Sequence, residues 1–249
     1  MYASQKFSKQ EEAYTRGHDL EHAFFIAKDL PNCTEGQKHV SSFKTIDDFL
    51  LWFDKQKVKN FYEKIINERV EYYDIDGKIT EHDYWKNDKK TILDDFFQAR
   101  KNWIENTNYN NKKLNPEKDI FILESEKLNQ KKSFHIIIRN GFIFKNNLEQ
   151  RGFITEFKQY LDNLGTGLTI DKSPYGTNQC FRTLGSCKKG TDRTLIRSNY
   201  NENSLNCDRR LFYASWIQPE LQKASKISCV SLNCKLGIEE NKYYLDYVS

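Results

Sequence analysis

Long apolar runs are missing from this chain of 249 residues. No stretch approaches the roughly 20 consecutive apolar residues that a membrane-spanning helix needs, which argues against a transmembrane protein. The opening residues, Met1 to Lys9, carry no apolar block of the secretory type, so a non-secreted, intracellular protein is expected. Cysteines are few and poorly spaced for metal binding. Cys33, Cys180, Cys187, Cys207, Cys229 and Cys234 form no Cys-x-x-Cys unit, and the Cys229/Cys234 pair lacks partners at the usual spacing. Zinc is therefore not expected, and the thiols read as reduced. His18 and His22 stand at i and i+4 with no third ligand nearby, the pattern of a helix surface. Internal repeats are absent too, as is any stretch resembling a linker between separable domains.

What is present suits a folded protein with a sizeable core. Hydrophobic residues make up 38% of the chain, and 17 Phe with 14 Tyr supply core material that a disordered chain would lack. The net charge of +4 hides an asymmetry. Residues 127–197 hold thirteen Lys/Arg against five Asp/Glu, whereas residues 45–95 hold nine against thirteen. An acidic region followed by a basic one suits a site that gathers metal cations and a polyanion, although two solvated faces would give the same count.

Periodicity predicts a mixed α+β chain. Ile46, Phe49, Leu50 and Phe53 recur at helical spacing after Thr45, and Val58–Ile66 reads as a continuation of helix. Arg69–Ile75 turns β-branched and aromatic, with Gly77 marking a turn. A long helix is predicted over Lys89–Glu105, strands over Asp119–Glu124 and Phe134–Arg139, and a second long helix over Asn147–Leu164, closed by Gly165. Short segments follow at Leu168–Asp171, Gln179–Leu184 and Thr194–Ser198. Arg209–Trp216 reads as helix or strand and Tyr243–Val248 as a terminal strand.

Several of these segments carry chemistry. Asp74 and Asp76 end a strand as an Asp-x-Asp pair, so both carboxylates face one side and can turn onto hard cations. Asp171 ends another short apolar run, and three acids converging from neighbouring strands is a recurrent way to hold two divalent ions for phosphoryl transfer. Ser133 and His135 open a strand on one face, after Lys131 and Lys132. Taken alone, that tripeptide is better read as the polar outer face of a strand. From Asp171 the chain runs through a polar turn to Arg182 and then to Lys188. A planar fork and a point charge complement a triphosphate, and a basic surface hairpin has the same composition.

Together these segments resemble the archaeo-eukaryotic primase superfamily, in its primase-polymerase (PrimPol) branch, and the primase domains of large DNA virus primase-helicases. That family has an acid-x-acid pair, a Ser-x-His and a hydrophobic-Asp motif in this order, here Asp74/Asp76, Ser133/His135 and Ile170-Asp171. Its third motif extends to Tyr, Asn-x-x-Phe-Arg and Lys, matched by Tyr175, Asn178, Phe181, Arg182 and Lys188. Gly36-Gln-Lys38, Thr45–Phe53 and Asn60–Ile65 are similar to the family's helical lead-in. The likeness covers roughly residues 36–216.

The resemblance implies an RRM-related primase-polymerase catalytic palm with an N-terminal αβ module. The lead-in module would span about residues 1–66, the catalytic core 67–216 and a C-terminal segment 217–249. It implies template-directed nucleotidyl transfer from NTPs or dNTPs on single-stranded DNA, with two Mg²⁺ or Mn²⁺ ions on Asp74, Asp76 and Asp171. Ser133, His135, Arg182 and Lys188 would hold the incoming triphosphate, Lys131 adds a contact, and Lys38 touches template or nucleotide. Some relatives have Asp-x-Glu in the first motif, which bears on metal preference. Neither the zinc module nor a helicase is recognisable in this chain, so a separate helicase or accessory primase subunit is the partner to look for. Two other functions use overlapping chemistry: a non-catalytic nucleic-acid-binding subunit, and a two-metal nuclease, which needs no triphosphate rim.

Overall fold

A computed structural model describes residues 24–30, 38–66, 68–107, 109, 113–127, 130–177, 180–200 and 215–218. His18, His22, Cys33, Cys207, Cys229, Cys234, Asn178, residues 209–214 and the expected strand Tyr243–Val248 lie outside them. The described residues are α+β, with two four-stranded antiparallel sheets, three helices of nine residues or more and the short helix Pro116–Asp119. Among the described residues, no helix is long and apolar enough to cross a membrane.

The first sheet contains β1 (Phe24–Asp29), β2 (Lys38–Phe43), β3 (Phe61–Lys64) and β7 (Cys180–Arg182), in the order β2-β1-β3-β7. Helix α1 (Ile46–Asp54) starts at Thr45, whose Oγ1 accepts from the Asp48 N–H at 3.1 Å. Its apolar stripe covers the sheet, with Phe49 on Phe43 at 5.4 Å and Phe53 on Phe61 at 5.4 Å between ring centroids. The expected helix over Val58–Ile66 is instead strand β3. The extended backbone pairs on both sides, with β1 and with β7. Tertiary pairing overrides local propensity here.

The second sheet contains β4 (Arg69–Lys78), β5 (Ile120–Lys127), β6 (Lys131–Phe144) and β8 (Ile196–Arg197), in the order β4-β6-β5-β8. Helices α2 (Lys89–Glu105) and α3 (Asn147–Leu164) pack on one face of it. Asp88 caps α2 by accepting from the Thr91 N–H at 2.9 Å, and Asn146 caps α3 by accepting from the Glu149 N–H at 3.0 Å. Gly165, at φ +65°, ends α3 in the left-handed conformation that glycine adopts without strain. Alternation along β4 divides its side chains. Tyr73 points to the helices and packs on Phe96 and Phe157 at 4.9 and 5.8 Å, while Tyr72 points away, onto Tyr175 and Phe181.

After α3 the chain returns beside β4, not as a full strand but as one bridge, Ile75 to Ile170. The element order is thus strand–helix–strand–strand–helix–bridge, and the lateral order is bridge-β4-β6-β5. Between Val70 and Glu71 the β4/β6 register jumps, looping out four residues of β6. The buried Glu71 carboxylate fills that bulge, taking a fork from Arg100 and the Phe142 N–H.

Candidate metal and nucleotide site

The β4/β6 register sets Asp74 opposite His135 and Asp76 opposite Ser133. Because alternate residues share a face, all four project away from the helices, on the side of Tyr72. The third acid arrives by a backbone contact: the Asp171 N–H donates to the Asp74 carbonyl at 2.8 Å. Tyr175 secures the junction. Its hydroxyl donates to the Tyr72 carbonyl at 3.1 Å and accepts from the Asp74 N–H at 3.2 Å. The chain then crosses to the first sheet as β7, which sets Arg182 opposite Tyr62 of β3.

Between the sheets lies a cleft of about 750 Å³, and all nine residues named from the sequence line it. Lys38 and Arg182 stand on the first sheet; Asp74, Asp76, Lys131, Ser133 and His135 stand on the second. Asp171 and Lys188 belong to the connecting segments. The structure adds Asp29, Tyr62 and Arg193, which sequence reading did not single out, and places the motif residue Phe181 in the lining. Arg193 extends the basic run of Lys188 and Lys189, a signal legible in composition. Tyr62 had no such signal, since only its pairing with Arg182 brings it here.

Asp74 is the most perturbed acid in the cleft. Its side chain is 16% exposed, and its Oδ1 has no hydrogen-bond partner. Burial, then the charges of Asp76 and Asp171, push its carboxyl up to about 8 against the opposing pull of Arg182 and Lys131. Asp76 pairs with the Lys131 ammonium. Asp171 is turned onto its own turn, accepting from the Ser173 N–H at 2.9 Å and the Ser173 hydroxyl at 2.7 Å. His135 stacks on Phe181 with centroids 4.0 Å apart. Burial and then Arg182 hold its pKa well below the usual imidazole value, so the ring is neutral. Its Nε2 lies 3.8 Å from Asp74 Oδ1, beyond hydrogen-bond reach, and its Nδ1 is unpartnered.

The basic groups divide in two. Lys38 is held by Asp29 and lies 3.9 Å over the Tyr62 ring, and Lys131 is held by Asp76. Arg182, Lys188 and Arg193 make no ion pair with a carboxylate among the described residues. Arg182 donates to the Arg193 carbonyl at 3.3 Å, and burial with the Arg193 charge lowers its pKa. An under-neutralised carboxylate group therefore faces under-neutralised guanidinium groups across one cleft. That distribution is complementary to a ligand made of a cation and a polyanion.

The donor set fits hard divalent ions: three carboxylates and one orphaned, buried oxygen. As they stand, no three His, Cys, Asp or Glu side chains among the described residues are gathered as a metal cage. Asp76 is engaged with Lys131 and Asp171 with Ser173. Cys180 and Cys187 are free thiols. No protein-family model and no curated protein matches this sequence.

Proposed function

We propose that this protein is a template-directed nucleotidyltransferase, a DNA primase or primase-polymerase that extends chains from NTPs or dNTPs on single-stranded DNA. The observation that carries the reading is the facing arrangement of Asp74, Asp76 and Asp171 against Arg182, Lys188 and Arg193 in one cleft. A nuclease would need the carboxylates and not the cationic wall. The element order strand–helix–strand–strand–helix–bridge supports the finer fold, an RRM-related palm. In it β1–β3 and α1 form the N-terminal module, sharing a sheet with β7 of the core.

In this reading Asp74, Asp76 and Asp171 hold two Mg²⁺ or Mn²⁺ ions. When bound, these ions supply charge neutralisation for the attacking hydroxyl and the leaving pyrophosphate. The chain's own groups do the rest. Arg182 and Lys188 hold the triphosphate by a fork and a point charge. The Ser133 hydroxyl and the neutral His135 ring add uncharged donors beside the carboxylates, so they bind phosphate oxygen without competing for the cations. Lys131, paired with Asp76 here, would be available to the triphosphate with a cation on Asp76, and Lys38 lines the opposite wall for nucleotide or template. Asp74, whose carboxyl is pushed up to about 8 by burial and its neighbouring acids, would bind a cation in competition with a proton. Positioning and electrostatics are the main catalytic terms in such a transfer.

The test is an incubation series with purified protein, single-stranded DNA with and without a primer, labelled NTPs or dNTPs, and Mg²⁺ or Mn²⁺. Products that vanish in Asp74→Ala/Asp76→Ala establish the transferase, and products without primer make it a primase. One observation favours a second reading, a non-catalytic nucleic-acid-binding subunit: Asp76 and Asp171 are both engaged away from Asp74. DNA binding with no incorporation in any lane would select it, and with it the search for a separate helicase or accessory primase subunit.

A further inference from the structure

Only a short connection, from Lys64 to Arg69, separates β3 of the first sheet from β4 of the second. A second segment lies across that connection. Ser215, Trp216, Ile217 and Gln218, distant in sequence, are all buried. On the first sheet, Glu63 of β3 accepts from the Ile217 N–H at 2.9 Å, the Gln218 N–H at 3.0 Å and the Gln218 amide at 3.1 Å. On the second sheet, the Val70 N–H of β4 donates to the Ile217 carbonyl at 2.9 Å, and Arg139 of β6 donates to the Trp216 carbonyl at 2.5 Å. The connection itself is held by Gln218, which donates to the Lys64 carbonyl at 3.0 Å and accepts from the Ile66 N–H at 2.9 Å. Trp216 adds an apolar anchor on the first sheet, edge-on to Phe24 at 5.3 Å.

Glu63 is the hub of these contacts. It is only 2% exposed, and a carboxyl group so deep is costly unless its oxygens are satisfied, so its position is set by the strap it grips. Its neighbours form the wall of the site. Its strand neighbour Tyr62 lines the cleft, and in register Glu63 pairs with Phe181, which stacks on His135 and precedes Arg182.

We infer that Glu63 is a positioning residue and that Trp216–Gln218 is a splint across the joint between the sheets, fixing the distance from the cationic wall to the carboxylate wall. The inference rests on the proposed function for what the walls hold. It makes an asymmetric demand. Asp74 and Asp76 share β4, and Asp171 is hydrogen-bonded to it, so the metal ligands stay together when the joint loosens. A nucleotide must span both walls, so its grip weakens.

The experiment uses the full chain with Glu63→Gln, which keeps the volume but places an amide donor among N–H donors, and Gln218→Ala. Three quantities are read: amide hydrogen exchange at Ile66 and Val70, Mn²⁺ affinity from the free-ion magnetic resonance signal, and nucleotide affinity of the Mn²⁺-loaded protein. Exchange at both amides should quicken, Mn²⁺ affinity should hold within about twofold, and nucleotide affinity should fall about tenfold or more, as misplacement of binding groups commonly costs. Global destabilisation alone would weaken both ligands in parallel and overturn the positioning role, as would unchanged nucleotide affinity despite quickened exchange. Unchanged exchange in both variants overturns the splint. If the wild-type protein binds no nucleotide, the proposed function falls and the positioning role with it, while the exchange data still decide the splint.

Discussion

Replacing Asp74 with Asn should make the metal-free protein more stable while abolishing its proposed activity. Burial and the neighbouring charges of Asp76 and Asp171 raise the Asp74 carboxyl from 3.8 to about 8. A carboxyl raised in the folded state contributes stability that is complete below its unfolded value and is lost as pH rises through the folded value. At pH 7 the folded protein therefore retains a proton that the unfolded chain releases. Holding it across a gap of about three pH units costs about 4 kcal/mol at roughly 1.4 kcal/mol each. Asparagine removes this penalty but must still bury an amide with few partners, so about half should be recovered, roughly 2 kcal/mol. For a chain of this size that is a rise of about 4–8 °C in melting temperature.

The assay is thermal unfolding in chelator at about pH 5, 7 and 9. The advantage of the variant should be small at the acidic end, grow through neutrality and level off above about pH 8. Mn²⁺ or Mg²⁺ should then raise the melting temperature of the wild type and leave the variant nearly unmoved, because a cation stabilises only the form that binds it. A variant less stable than the wild type at alkaline pH, or an advantage independent of pH, would refute the electrostatic account of this site.

His135 is held neutral by burial and Arg182, so its ring resonances should not titrate between about pH 6 and 8; a midpoint in that range would contradict the stacked, desolvated geometry. Gly77→Ala would place a methyl inside the Trp85 indole, so tryptophan fluorescence should shift and stability drop by about 1–3 kcal/mol or more, with Asp76 displaced next door. Unchanged denaturant unfolding would show that the close approach of strand and indole is not there. Arg193→Ala should weaken nucleotide binding about tenfold with metal affinity preserved, as loss of one charge-assisted contact predicts; equal nucleotide affinity by calorimetry would remove Arg193 from the cationic wall.

Helices α2 and α3 were legible because their signals are local: an apolar stripe for α2 and a terminal glycine for α3, to which the structure adds the Asp88 and Asn146 caps. Strand β3 was not. Its Phe61-Tyr-Glu-Lys run becomes extended only because β1 and β7 supply hydrogen-bonding partners on both sides, and β7 lies more than a hundred residues away. The site shows the same division. Asp74 with Asp76, and Ser133 with His135, were readable as pairs, since alternation along a strand puts residues two apart on one face.

Sequence by itself determined the α+β character, the two long helices and the candidate acids and bases, because composition and periodicity are properties of neighbours along the chain. Tertiary structure alone decided that Asp74 stands opposite His135, that Asp171 is tied to the Asp74 carbonyl, and that Asp171 and Asp76 are turned onto Ser173 and Lys131. It also decided that Tyr62 and Arg193 enter the cleft and that Glu63 grips residues 217 and 218. These contacts depend on register and sheet packing, which arise from burying the Tyr72–Tyr175–Phe181 and Tyr73–Phe96–Phe157 faces, and no short window of residues encodes that.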